Sequence, residues 1–364
     1  MTAPAANCDI TPLGCPEPCA HSKVWRTIQI CIWLGGIALL LSLIFAPDAG
    51  LHFLWHILIP IAPALFIFAP GVWRNVCPLG FTSLLPWNLG LSRRHRLKPS
   101  TQGIAYIGSV VLLLLILPLR HVFFNSSALA SALAISVLAA LALLAGFLFE
   151  RKSGWCASLC PIYPVESLYG SCTPIKVRNA HCNQCYQCVQ VCPESRFGTD
   201  PTGAGTTRFH QLAGVVMTGG FAGFVWGWFH AGDYAGGSRW HVTADAYAYS
   251  FGGFAATLAI YLILSRIVPT KRGSTLNRLF ACAAVSCYYW YTLPNIFGFG
   301  SNPAHAAVNL STFLPDVTPW IARAIATAVF FWWFIIRPSG HHRWMKPPPR
   351  APKPVEIRIR SKSE

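Results

Sequence analysis

Apolar residues gather along this chain into eight long runs, at about 25–46, 52–70, 102–119, 128–149, 211–229, 247–268, 276–297 and 319–336. Each approaches the ~20 residues that a helix needs to cross the hydrocarbon of a bilayer. Helix is the expected state, because a helix satisfies its own backbone hydrogen bonds where water is absent. The period-two alternation of a membrane barrel is missing. The sixth and seventh runs hold the most polar and small residues. The pattern therefore predicts an all-α polytopic membrane protein of about eight spans, with six as the alternative.

Composition points the same way. Of 364 residues, 54% are hydrophobic and only 11% charged, where a soluble chain carries about a quarter charged residues. No single core of this size absorbs that much apolar surface, so lipid is the expected solvent and partner. The chain holds 14 Trp, a residue that favours the membrane–water boundary.

The formal net charge is +16. The charges lie between apolar runs, which argues against nucleic-acid binding and for orientation in a membrane. Twenty-five Lys and Arg fall in segments on one side of the predicted spans, two (Arg120 and Arg239) on the other, and Arg323 inside a span. Basic loops stay cytoplasmic. This predicts a multi-pass protein of the bacterial cytoplasmic (inner) membrane with both termini inside and an even number of spans. The segments are then a Cys/Pro-rich tail (1–24), four spans with a loop bearing Cys77 (25–149), a cytoplasmic segment (150–210), four more spans (211–336) and a basic tail (337–364). No cleavable signal peptide is expected, because the first 24 residues are polar and Pro-rich.

The sharpest chemical signal is Cys182-x2-Cys185-x2-Cys188-x3-Cys192-Pro193. This is the bacterial ferredoxin run, in which three closely spaced thiolates wrap one [4Fe–4S] cluster and the fourth Cys serves another. Zinc sites space two Cys pairs well apart, and a reducing cytoplasm disfavours disulfides. The ending Cys-x3-Cys-Pro recurs at Cys156-Ala157-Ser158-Leu159-Cys160-Pro161. By pseudo-symmetry, one cluster is expected on Cys182, Cys185, Cys188 and Cys160. A second would take Cys156 and Cys192, with Cys77 and Cys172 as candidates to complete it. The alternative for Cys77 and Cys172 is a plain buried thiol. Segment 150–210 is thus expected to form a small cytoplasmic ferredoxin-like domain.

Cys-x3-Cys-Pro at a helix end followed by the ferredoxin run resembles the membrane-bound ferredoxins of the NapH/NosR type, over roughly 25–198. Segment Trp73 to Gly80 looks like a further, degenerate copy, with Trp73 four positions before Cys77. The resemblance implies electron transfer between a quinone pool and a partner redox protein, as in a quinol dehydrogenase subunit. Spacing alone implies cluster binding.

Weaker signals complete the picture. Cys8, Cys15 and Cys19 in the tail could hold metal or lend a ligand. Cys31, Cys282 and Cys287 read as apolar fillers. His52, His56, His121, His230, His241 and His305 fall near the outer face, with His52 and His56 sharing a helical face. Such a group suits a quinol headgroup, with haem or copper as further options; the bland alternative is interfacial histidines meeting water and headgroups. Asp233, Asp245 and Arg239 share the outer loop and suit proton release. Two function classes follow: a respiratory electron-transfer subunit whose basic loops dock an acidic redox carrier, or an assembly factor that reduces a metal for a respiratory enzyme. A redox sensor is a third reading, without a signalling module to support it.

Overall fold

The computed structural model describes residues 20–170, 173, 175, 177–182, 188–189, 192, 207–234, 236, 238–269, 272–300, 306–337 and 345–346. The expected ligands Cys172 and Cys185, the tail thiols Cys8, Cys15 and Cys19, and His305 lie outside the described residues.

The chain is helical: α1 (Ala20–Phe45), α2 (Pro47–Phe68), α3 (Pro70–Val76), α4 (Pro78–Asn88), α5 (Pro99–Phe124), α6 (Ala128–Leu148), α7 (Tyr163–Tyr169), α8 (Arg208–His230), α9 (Arg239–Ile267), α10 (Gly273–Ile296) and α11 (Thr318–Ile336). Seven of these, α1, α2, α5, α6, α8, α9 and α11, are long and apolar enough to cross a membrane. This is the architecture of a multi-pass membrane protein.

The seventh apolar run forms α10, a helix of 24 residues, but it falls short of the apolarity of the other seven. The reason is where its polar atoms go. Asn277 accepts a 2.6 Å hydrogen bond from the Tyr261 hydroxyl of α9, and the Tyr289 hydroxyl donates to the Pro60 carbonyl of α2 at 3.0 Å. Polar groups satisfied inside a bundle need not be traded for apolar ones. The sixth run extends further than hydropathy suggests: α9 starts at Arg239 rather than near 247. Arg239 ends the span by donating to the Val122 carbonyl at 2.7 Å while lying over the Tyr234 ring. His241 and Asp245 consequently belong to a helix, not to a loop.

Helix α8 is the axis of the bundle. Its apolar window is 72% buried, against 11% for α1. Gly223 and Gly227 let α9 approach so closely that a Cβ at either would strike the backbone of Gly253 or Tyr249. Small residues at such crossings allow the backbone proximity on which membrane helix packing depends.

The loops gather at two ends. At one end lie α3, α4, the turn 149–162, buried α7 and the first residues of α5 and α8. Here Gly103 of α5 abuts Thr207 and Phe209, and Arg93 and His95 hydrogen-bond to the last carbonyls of α6. Strand β1 (Val177–Arg178) also sits here and pairs in parallel with β2 (Met345–Lys346). At the other end lie Arg120–Phe124, the α8–α9 connection and the start of α6. Of the ferredoxin-like segment expected over 150–210, the described part is the helical turn Trp155–Leu159, helix α7, strand β1, the first residues of α8 and short stretches of irregular chain.

Candidate functional site

Cys77 and Cys160 each precede a proline, Pro78 and Pro161. A proline disfavours the helical region for the residue before it. Both cysteines accordingly take the same extended backbone, at φ −56°, ψ 118° for Cys77 and φ −64°, ψ 114° for Cys160. Each Cys-Pro step breaks a helical path at the same end of the bundle. Cys156 lies on a widened turn, Trp155–Leu159, closed by the Cys160 amide donating to the Trp155 carbonyl five residues back at 3.0 Å. Such π-type turns insert one extra residue into a helical path and recur at functional sites.

These local breaks bring three thiols together. Cys77, Cys156 and Cys160 line one cavity with Trp73, Arg74, Lys152, Glu166 and His181, and its free space, open mouth included, is about 360 Å³. Gly80 forms part of the wall, and a Cβ there would lie 3.8 Å from the Cys77 sulfur and 3.9 Å from that of Cys156. Trp73 fills the place a fourth Cys-x3-Cys-Pro thiol would occupy, its ring packed edge-on against Phe66.

The charges in the wall are buried. Arg74 is 7% exposed, Lys152 3% and Glu166 2%. Arg74 pairs with Glu166 at 2.7 Å and lies over the Tyr163 ring. Arg74, Lys152 and Glu166 thus stand in the wall beside the thiols. Burial pushes the Cys77 thiol up to about 12, helped by Cys156 and Glu166 and opposed by the Gly80 amide and Arg74. Cys160 is raised for the same first reason, with Cys77 and Cys156 adding.

The described thiols of the ferredoxin run form a second group. Burial pushes Cys188 up to about 12, and its neighbours Cys192 and Cys182 add to the shift while the Lys152 amide opposes it. An Arg151 guanidinium nitrogen donates to the Cys182 sulfur at 3.7 Å. Residues 151–152 thus touch both groups. Cys160 is close enough to feel the charge of Cys77 and Cys156, and Cys188 that of Cys192 and Cys182.

The two groups are clasped together. Asn75, fully buried, donates to the Arg178 carbonyl at 2.8 Å and accepts from the Ala180 amide at 2.9 Å. Gln29 of α1 donates to the Asn75 carbonyl at 2.9 Å, and His181 Nε2 donates to the Arg74 carbonyl at 2.7 Å. Gln29, Asn75, Lys152, Glu166 and His181 were not legible as site residues from spacing. The one available signal was Glu166, a lone acid in an otherwise uncharged helix.

Among the described residues, no three His, Cys, Asp or Glu side chains converge as one metal ion requires. A cubane is a different test, because each of its ligands binds a different iron and the sulfurs stand farther apart. By donor chemistry the cavity fits such a group: three thiols line it, with Arg74 and Lys152 in the same wall.

The histidines expected at the outer face behave differently. His52 and His56 lie one turn apart with tilted rings, their centroids 5.4 Å from each other. His230 bonds the Trp226 carbonyl at 2.7 Å, and His241 is exposed. His121, in contrast, is buried and its Nδ1 lies 2.6 Å from Asp233. Asn125 donates to the same carboxylate oxygen at 2.9 Å. Burial draws the Asp233 pKa up, but the bonds from His121 and Asn125 and the charge of Arg120 bring it below the usual carboxylate value.

Compared with known protein families, characterised proteins and solved structures, the chain matches none.

Proposed function

We propose that this chain is an integral-membrane iron–sulfur electron-transfer protein, with [4Fe–4S] clusters at the Cys-lined end of the bundle. One is assigned to Cys182, Cys185, Cys188 and Cys192, and the second site to Cys77, Cys156 and Cys160. Proximity is the reason for grouping Cys160 with Cys77 and Cys156 rather than exchanging it with Cys192. The observation that carries the reading is the cavity itself: three thiols from two separate Cys-Pro segments line it with buried Arg74 and Lys152.

When bound, the clusters supply one-electron carriers. The chain's own residues hold the thiols, exclude water and balance charge. Arg74 and Lys152 lower the cost of negative charge in the cavity, since an isolated buried charge is expensive. The clasp at Asn75 fixes the two thiol groups beside each other. Arg93, Arg94, Arg96 and Arg151 surround this end, which favours docking of an acidic redox partner and, by the basic-side tendency, a cytoplasmic orientation in a bacterial inner membrane. The motif resemblance to NapH/NosR-type membrane ferredoxins supports exchange with a quinone pool as the other half of the reaction.

The test is iron and acid-labile sulfide on anaerobically purified, detergent-solubilised protein, with EPR after dithionite. Two cubanes give about eight irons per chain and a coupled reduced spectrum. About four irons, unchanged by replacement of Cys77, would confine the cluster to the ferredoxin run. No iron at all refutes the reading.

A further inference from the structure

Just past the end of α6, one cation is held against one sulfur of the ferredoxin run. The Arg151 guanidinium donates to the Cys182 sulfur at 3.7 Å. Arg151 stands at φ 45°, in the left-handed region. Glycine enters that region freely, whereas a residue with a Cβ is strained there. The nearby glycine, Gly154, takes an ordinary φ of −80° instead. A strained backbone under a large side chain points to a side chain needed at one place.

Both partners of this bond are fixed independently. On the arginine side, the Glu150 amide donates to the His95 carbonyl at 3.0 Å, and the Ser153 hydroxyl donates to the Glu150 carbonyl at 2.6 Å. The guanidinium itself lies over the Trp87 ring of α4, 4.6 Å from its centroid. On the sulfur side, the Cys182 and His181 amides donate to the Asn179 side-chain oxygen at 3.3 and 2.8 Å. Asn75 holds Arg178 and Ala180 just before them. Arg94, also at a left-handed φ of 57°, lies over the same Trp87 ring at 4.7 Å. Two like charges on one ring repel, and negative charge on the Cys182 sulfur would offset that repulsion. Arginine stays protonated in proteins, so the donor and its charge do not depend on a titration.

We infer that Arg151 sets the reduction potential of the cluster held through Cys182, with Trp87 as the positioning residue for its guanidinium. The inference deepens the electron-transfer reading and rests on it. Uptake of one electron from a one-electron donor adds one negative charge, shared with the ligating sulfurs, and breaks no bond. Arg151 stabilises the reduced state more than the oxidised one, because a charged hydrogen bond strengthens with the charge on its acceptor. Hydrogen bonds to the sulfurs are among the factors that set cluster potentials. Arg151 therefore raises the potential and makes this cluster the better electron acceptor.

The experiment is an EPR-monitored redox titration of the anaerobically purified, detergent-solubilised holoprotein, reduced stepwise with dithionite, with iron content measured on each sample. R151G removes the guanidinium and suits the left-handed backbone, so it should fold and keep its iron. One midpoint should fall by about 59 mV, which corresponds to a tenfold loss in a one-electron reduction equilibrium. R151K keeps the charge and should recover much of the shift. R94Q takes a charge from the same ring without touching the sulfur, and should move the midpoint far less. If R151G holds less iron than the unaltered protein, R151Q carries the test with the same expected fall. An unchanged midpoint in the variant that keeps its iron, or an equal fall in R94Q, overturns the inference and leaves the cluster reading standing. Absence of iron from the unaltered protein refutes the cluster reading and this inference with it.

Discussion

Asn75 and Ala180 are 105 residues apart in sequence and joined by a 2.9 Å hydrogen bond from the Ala180 amide to the Asn75 side-chain oxygen. The same side chain donates to Arg178. One buried amide thus satisfies two backbone groups of the segment that leads into Cys182, and does so two residues before Cys77. The two thiol groups are held in register by this contact.

N75A should therefore release the 177–182 segment. It orphans a backbone donor and a backbone acceptor, at a cost of about 1–3 kcal/mol each. Hydrogen exchange of the Ala180 amide reports it directly: protection there should fall while protection in α8 is kept. Equal loss across both would mean that Asn75 supports the whole fold rather than this junction.

The Arg74–Glu166 pair is the second test. E166L leaves Arg74 buried without its carboxylate, which costs about 3–5 kcal/mol for a buried pair broken on one side. The double variant R74M/E166L removes both charges and should recover most of that loss in thermal unfolding of the metal-free protein. If the double variant is no better than the single one, the pair contributes more than mutual compensation.

Cys77 makes a pH prediction for the metal-free protein. Its thiol is pushed from an ordinary value of 9.0 to about 12 by burial. The folded state therefore keeps a proton that the unfolded state releases. Stability from this source is full below about pH 9 and is lost as pH rises toward about 12, at roughly 1.4 kcal/mol per pH unit. The slope of stability against pH between about 9 and 11 should shrink in C77S. An unchanged slope would place the thiol in a wetter environment.

Helix packing supplies the last prediction. At Gly223 a Cβ would collide with the Gly253 carbonyl of α9, whereas at Gly252, one residue away on the same helix as Gly253, a Cβ meets nothing within 4 Å. G223A should therefore lower the melting temperature of the solubilised protein by many degrees. G252A should be neutral or slightly stabilising, because alanine loses less backbone entropy than glycine in a helix.

Apolar runs by themselves determined the helices long and apolar enough to cross a membrane, because transfer into lipid is a property of each segment alone. All eight runs form helices, and seven of them are long and apolar enough to cross a membrane; α10 falls short, and its Asn277 and Tyr289 bond Tyr261 and Pro60 on other helices. The Cys-Pro steps were equally legible, because proline acts on the residue beside it. What tertiary structure decided was which thiols share a cavity, that Arg74, Lys152 and Glu166 line it, and that Asn75 clasps the ferredoxin run to it. The pairing of His121 with Asp233 belongs to the same class. These are contacts between segments tens to more than a hundred residues apart, and their chemistry depends on burial, which no local pattern of residues records.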